Sequence, residues 1–175
     1  MKDLYQLSPG DLVVWIIPRT HLEPPLEWVA AYALRGPVGV LDGGDRFEVR
    51  ALVRLLRRRT HQLTETLSRI RATRVTTGHQ LIRILEETPA SAIPHIGLDF
   101  LAPFYEESIS TPESFYLLAS AVGHLHRLRK YAPVVLCIHP PEIEQPGREK
   151  LAEVLLGLAD EVFIADALPP HTRLL

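Results

Sequence analysis

The sequence contains a single cysteine, Cys137, which rules out an internal disulfide and any C-x-x-C metal or redox motif. The cysteine lies within the apolar run Val134 to Ile138, a setting in which a thiol is unreactive. Long hydrophobic runs are also missing. The longest near the start, Leu12 to Ile17, is far too short to span a bilayer, so no membrane partner is expected. Met1-Lys2-Asp3 lacks the charged-then-apolar order of a signal peptide, and a cytoplasmic location is expected. No charge sign dominates: 19 Lys and Arg face 21 Asp and Glu, a formal net charge of −2. A general attraction to nucleic acid is thereby excluded, and any basic function must reside in a local patch. His124 and His126 stand two apart on a predicted helix and point to different sides, and no H-x-x-x-H pair exists. No metal site is expected. A Gly-x-Ser-x-Gly elbow and paired catalytic carboxylates are absent as well.

What the chain does have is an apolar fraction of 46% and a charged fraction of 23% over 175 residues, enough for one domain spanning 1–175. Short apolar runs alternate with amphipathic stretches. Strands are expected at Leu12 to Ile17, Val38 to Leu41, Ile70 to Val75, Ile93 to Leu98, Pro133 to Ile138 and Glu161 to Ala165. Arg71 and Arg74 mark the third as an exposed edge. Helices are expected from Pro24-Pro25, which fit a first turn, to Leu34, and at Phe47 to Arg58, Gln62 to Arg69, Gln80 to Glu87, Pro112 to Lys130 and Glu149 to Leu158. The stretch from Pro140 to Gly147 reads as a polar loop. Strands that are apolar on both faces and separated by helices imply an α/β fold with a mainly parallel sheet covered on both sides.

In such a sheet ligands bind beyond the carboxyl ends of the strands. Those ends carry Arg19-Thr20-His21, Asp42 to Asp45, Thr76-Thr77, Asp99, His139 and Asp166. Polar residues there also serve as ordinary strand-end and helix caps, and surface or capping roles are the expectation for His21, His79, His95 and His139.

Three segments, in order, resemble the RecA-like and RadA-type recombinase ATPases. Val38-Gly-Val-Leu-Asp-Gly-Gly-Asp-Arg-Phe47 is similar to that family's strand ending in Asp-Thr-Glu-Gly-x-Phe. Ile70-Arg-Ala-Thr-Arg-Val-Thr-Thr-Gly-His-Gln-Leu81 resembles the strand that leads to a Gln-Leu helix start. Ile93-Pro-His-Ile-Gly-Leu-Asp-Phe-Leu-Ala-Pro-Phe104 resembles the Walker B strand. The resemblance covers roughly residues 8 to 140. It implies a three-layer sheet of the P-loop NTPase type whose strands leave chain order, with the strand ending at Asp99 inserted beside the first. It also implies assembly with partners or with further copies.

Two departures from that family govern the functional expectation. The first strand of the family precedes a G-x-x-x-x-G-K-[ST] loop, in which backbone N–H groups cradle phosphates and a lysine neutralises them. Here Pro18-Arg-Thr-His-Leu-Glu-Pro-Pro-Leu26 has neither glycine nor lysine, adds Glu23, and loses two N–H donors to proline. The second departure is Gly44, which aligns with the glutamate that activates water; Asp45, one residue on, is the only local substitute. Asp99, which would organise Mg²⁺, is retained. The resemblance therefore implies a pseudo-ATPase, with no ATP or Mg²⁺ cofactor expected and a vestigial site at Arg19, Thr20, His21, Asp42, Asp45, Asp99 and His139.

Arg50, Arg54, Arg57 and Arg58 fall at i, i+4, i+7 and i+8, on one helix face. They form a candidate patch for DNA or an acidic partner, or a solvated face paired with surface acids. No aromatic residue is interleaved, which argues against single-strand stacking. Two further readings compete with the leading one, a non-catalytic domain of DNA recombination or repair. One is an ATPase whose atypical phosphate loop uses Arg19, Thr20 and His21, and the other is an unrelated α/β binding module.

Overall fold

The computed structural model describes residues 6–21, 23–139 and 146–165. Six strands and six helices alternate within them: β1 (Leu12–Ile16), α1 (Glu23–Arg35), β2 (Val38–Asp42), α2 (Val49–Arg57), α3 (Leu63–Ser68), β3 (Ile70–Arg74), α4 (Gly78–Glu87), β4 (His95–Leu98), α5 (Thr111–Arg129), β5 (Val134–Ile138), α6 (Glu149–Leu158) and β6 (Glu161–Ile164). A 3-10 turn, Ala102–Phe104, follows β4. The strands form one all-parallel sheet in the order β3-β2-β4-β5-β1-β6.

The ends of the elements follow local chemistry. Pro24 and Pro25 occupy the first turn of α1, where their missing N–H groups cost no helical bond. Thr77 caps α4 by accepting from the Gln80 amide, so the helix starts at Gly78, two residues before the expected Gln80. Ser110 caps α5 in the same way through Glu113 N–H.

Alternate residues of each strand feed two cores. Val13, Val40, Leu98 and Val135 pack on one face with Leu26 and Val29 of α1 and Leu52 and Leu56 of α2. Val14, Leu41, Leu136 and Ile138 pack on the other with Leu81 of α4, Leu118 of α5 and Leu151 of α6. This segregation follows from handedness. Steps from β1 out to β3 and steps back from β3 to β6 run in opposite directions, so right-handed crossovers place their helices on opposite faces. Neighbouring strands whose helices leave to opposite faces meet at β2/β3, β2/β4 and β1/β5, and the last two junctions open crevices at the carboxyl edge in the interior of the sheet.

One expectation about the sheet needs correction. The strand ending at Asp99 does not lie beside β1; β5 separates them, with Val134 to Ile138 in register with Leu12 to Ile16. The chain returns from β3 one position at a time after β4, so β5 takes the place next to β1. The third strand is an exposed edge, as its arginines suggested, with Arg71 to Arg74 all exposed. Asp166 and most of the loop read at 140–147 lie outside the described residues.

His95, expected at the surface, is 9% exposed. Burial pushes its pKa below the ordinary value, with Arg127 adding to the effect and a backbone hydrogen bond at Ile93 opposing it. Below about pH 6.5 the unfolded chain takes up this proton before the folded one, so stability falls as the pH drops through that window. Replacing His95 by Gln should flatten the dependence of the unfolding free energy between about pH 7 and 5. Denaturant titrations of both proteins check this, and equal slopes would mean that His95 does not titrate differently on folding.

A candidate strand-end site closed on itself

The two crevices bring Asp42, Asp99, His139, Arg46 and the 18–21 turn to the same edge. At the end of β2, Asp42 is 4% exposed, and both of its carboxylate oxygens are engaged. Oδ1 accepts from Arg46 N–H at 2.7 Å and Oδ2 from Phe47 N–H at 3.0 Å, so Asp42 caps the loop that follows it. Gly43 N–H donates to Leu98 O at 2.9 Å, and Phe100 N–H to Cys137 O at 2.9 Å, which ties the carboxyl ends of β2, β4 and β5 together.

Asp99 sits at φ 46°, a left-handed backbone that aspartate tolerates better than most residues, and is 7% exposed. This conformation turns its carboxylate under the loop after β2. A Cβ added at Gly44 would come within 2.7 Å of Asp99 Cβ and Cγ and nearer still to Oδ2; one added at Gly43 would lie 2.6 Å from Asp99 O. The glycine pair is thus required by the close approach of Asp99, which fills the space that a side chain at position 44 would use.

Around the Asp99 carboxylate stand His139 and Arg46. His139 Nε2 is 3.5 Å from Oδ2 and Arg46 Nε is 3.9 Å from it. The other ring nitrogen of His139, Nδ1, is 2.7 Å from Ile17 O and donates to it, so a neutral ring turns an unprotonated Nε2 toward Asp99. Neither Nε2 nor Arg46 Nε makes a hydrogen bond. Burial raises the Asp99 pKa, opposed chiefly by His139, Arg19 and Arg46. Burial lowers that of His139, opposed chiefly by Asp99 and the Ile17 carbonyl. The recess in front of the pair, lined by His21, Pro25, Arg46 and Cys137, measures about 10 Å³, room for about one water. Burial also raises the Cys137 thiol pKa far above the usual range.

The stretch where a phosphate loop would stand is a tight turn. His21 N–H donates to Pro18 O at 2.9 Å, so it is already engaged. Arg19 and Thr20 are exposed, while Arg19 O accepts from Arg46 Nη1 at 3.1 Å. Glu23 then opens α1, placing a negative charge at the helix end that favours anions.

The remaining residues singled out in the sequence fall elsewhere. Asp45, at φ 57°, is 70% exposed and pairs with Arg74 on the β3 edge at 3.3 Å, so its carboxylate is turned away from Asp99. Arg50, Arg54, Arg57 and Arg58 are all exposed on the outer side of α2 and its cap, and among the described residues none of them has an ion-pair partner. Arg46, absent from the sequence-derived candidates, links the β2 loop to the 18–21 turn and Asp99. Its place four residues after Asp42, inside the strand-end loop, was the available signal.

An out-of-order parallel sheet with helices on both faces, two carboxyl-edge crevices and Asp42 and Asp99 at adjacent strand ends defines the RecA-like fold. Among solved structures, the RadB recombinase is similar over 93% of this chain and 77% of its own, with a TM-score of 0.66 and 15% sequence identity. At that identity the likeness establishes the fold. No protein-family model matches the sequence, and no curated protein matches it. Among the described residues no helix is long and apolar enough to cross a membrane, and no group of three or more His, Cys, Asp or Glu side chains is placed to hold a metal ion.

Proposed function

We propose that this chain is a non-catalytic RecA-like domain that acts by binding, in DNA recombination or repair or in the regulation of a catalytic relative. The observation that carries the reading is the closure of the site on itself: Asp99 occupies the space of a side chain at position 44. Phosphoryl transfer rests on positioning and charge neutralisation, with a group to orient the attacking water. The residues present do not fit a nucleotide with its Mg²⁺. The 18–21 turn offers no glycine-lined cradle, Glu23 opposes phosphate, and Asp99 already faces a histidine and two arginines. The likeness to a recombinase supports the setting, and the outer side of α2 supports a polyanionic partner. Between residues 46 and 74 the sequence holds nine arginines and two glutamates. That face carries no apolar anchor besides Val49, which favours a phosphate backbone over a protein surface.

The test is calorimetric titration of the protein with MgATP and MgADP, and with a short DNA duplex over a range of salt concentrations. No nucleotide binding at millimolar concentration is expected. Duplex binding should weaken with a log–log salt slope of about −3 to −4 if four arginines meet phosphates, and replacing Arg50, Arg54, Arg57 and Arg58 by Gln should remove most of that slope. Micromolar nucleotide affinity that is lost on Arg19→Ala would overturn the reading in favour of an ATPase with an atypical phosphate loop at Arg19, Thr20 and His21. A flat duplex titration would leave protein partners as the binding function.

A further inference from the structure

A second site lies at the opposite edge of the sheet, where the strands begin, and stands independently of the region around Asp99. Strand register places Arg71, Gly39 and His95 abreast on β3, β2 and β4. Parallel strands lie roughly 4.8 Å apart, so an arginine and a histidine stand about 10 Å apart with a glycine between them. Gly39 has no side chain because the His95 ring leans over it: an added Cβ would lie 2.6 Å from the ring Cδ2 and 2.9 Å from Nε2. The next row, Thr73 and Leu41, continues the floor. The end of α4 forms one wall and Pro89 to Ile93 the other, enclosing a hollow of about 430 Å³, within the size range of small-molecule sites.

The wall is held in place. Arg127 donates to Leu85 O at 2.7 Å and to Thr88 O at 2.9 Å, fixing the last carbonyls of α4. The charges of the lining do not balance. Glu87 is engaged with Arg83 at 3.0 Å, while Arg71 has no hydrogen-bond or ion-pair partner among the described residues. Arg127 adds to the positive potential felt by His95, whose imidazole burial keeps neutral. Leu41, Ile84 and Ile93 give the hollow an apolar lining.

We propose that this hollow binds a small organic anion, with a carboxylate or phosphate head at Arg71 and a compact apolar body lying along Thr73 and Ile84 against the His95 ring that covers Gly39. Arginine holds either head through paired N–H donors, and the neutral imidazole gives a polar group at the far end of the ligand a partner. An uncharged molecule of the same shape leaves the guanidinium without its counter-charge. A larger body is stopped by His95 and the wall of α4.

The experiment uses the full chain, labelled with ¹⁵N, titrated with phenyl phosphate, phenylacetate and the uncharged 2-phenylethanol. Amide shifts are expected at Gly39, Arg71, Thr73 and His95, with each anion binding about tenfold or more tightly than the alcohol. Comparison of the two anions tells which head is preferred. Arg71→Gln, a change on an exposed edge strand, should bring both anions to the level of the alcohol. Thr73→Phe, also on that edge, should fill the hollow and abolish binding of all three probes in a protein that keeps its fold by circular dichroism. Equal affinity of the alcohol, or anion binding unchanged in Arg71→Gln, would reassign the hollow to an apolar side chain of a protein partner and overturn the proposal. Shifts confined to the α2 arginines or to the surroundings of Asp99, or no shifts up to about 10 mM of any probe, would overturn it too.

Discussion

Gly44→Glu, which restores the residue type that the recombinase-like motif has at this position, should unfold the chain more readily and yield no ATPase activity. The new Cβ would lie within 2.7 Å of Asp99 Cβ and Cγ, in a loop whose other end is tied down by Arg46 and Phe47 N–H donating to the Asp42 carboxylate. Overpacking a fixed site costs about 1–3 kcal/mol, and a second carboxylate beside the buried Asp99 adds to it. A total of about 3 kcal/mol or more is expected, a fall in Tm on the order of 10 °C for a domain of this size. The double variant Gly44→Glu with Asp99→Gly tests the cause. Glycine suits φ 46° and removes both the carboxylate and the Cβ, so it should recover much of the loss. A Gly44→Glu protein as stable as the parent would show that the Asp99 loop can move aside and that the closure is not enforced.

Arg148→Ala should be nearly as damaging, through the opposite mechanism. Arg148 is 8% exposed at the start of α6. Its guanidinium donates to Glu106 O at 2.9 Å and to Ile109 O, and reaches Phe104 O at 3.5 Å. These carbonyls belong to the irregular segment between β4 and α5, which has no strand partner to satisfy them. Phe104 O keeps the Ser114 hydroxyl and Glu106 O keeps a long bond from Ile109 N–H at 3.4 Å, but Ile109 O loses its donor and the tie to α6 is cut, at about 1–3 kcal/mol for each acceptor that water does not reach. A loss of about 3 kcal/mol is expected in urea denaturation. Arg148→Lys should recover only part of it, because an ammonium group lacks the planar fork that spans several carbonyls. Recovery to the full parental stability by lysine would mean that charge, rather than shape, holds the segment.

How much of this was legible in the sequence depends on the range of the interaction. The strands were legible because Val134 to Ile138 and Leu12 to Ile16 are apolar on both faces, as a buried parallel strand must be. The α4 start was blurred because its cap, Thr77, precedes the first apolar repeat. The polar residues at the strand ends were readable as a group, and Asp42 and Asp99 do come together. What could not be read was the left-handed turn at Asp99, which makes Gly44 a steric necessity rather than a missing base. The burial of His95 was hidden for the same reason: it depends on a glycine 56 positions earlier that becomes its neighbour only once register is set. Arg46 and Arg148 act on carbonyls 27 and about 40 residues away, and no local pattern announces such a reach.

The crowding of arginines into residues 46–74 makes the molecule electrically lopsided. With nine arginines against two glutamates there, the rest of the sequence is left with ten basic and nineteen acidic residues. On a chain whose sum is close to neutral, the exposed Arg50, Arg54, Arg57 and Arg58 are thus a local excess of positive charge. Beyond a Debye length of about 8 Å at physiological salt such an excess exerts little pull. Inside that distance an anionic surface draws the α2 face forward before any contact forms. The orientation of the encounter is set by this asymmetry, and raising the salt should abolish it before it dissolves any bond.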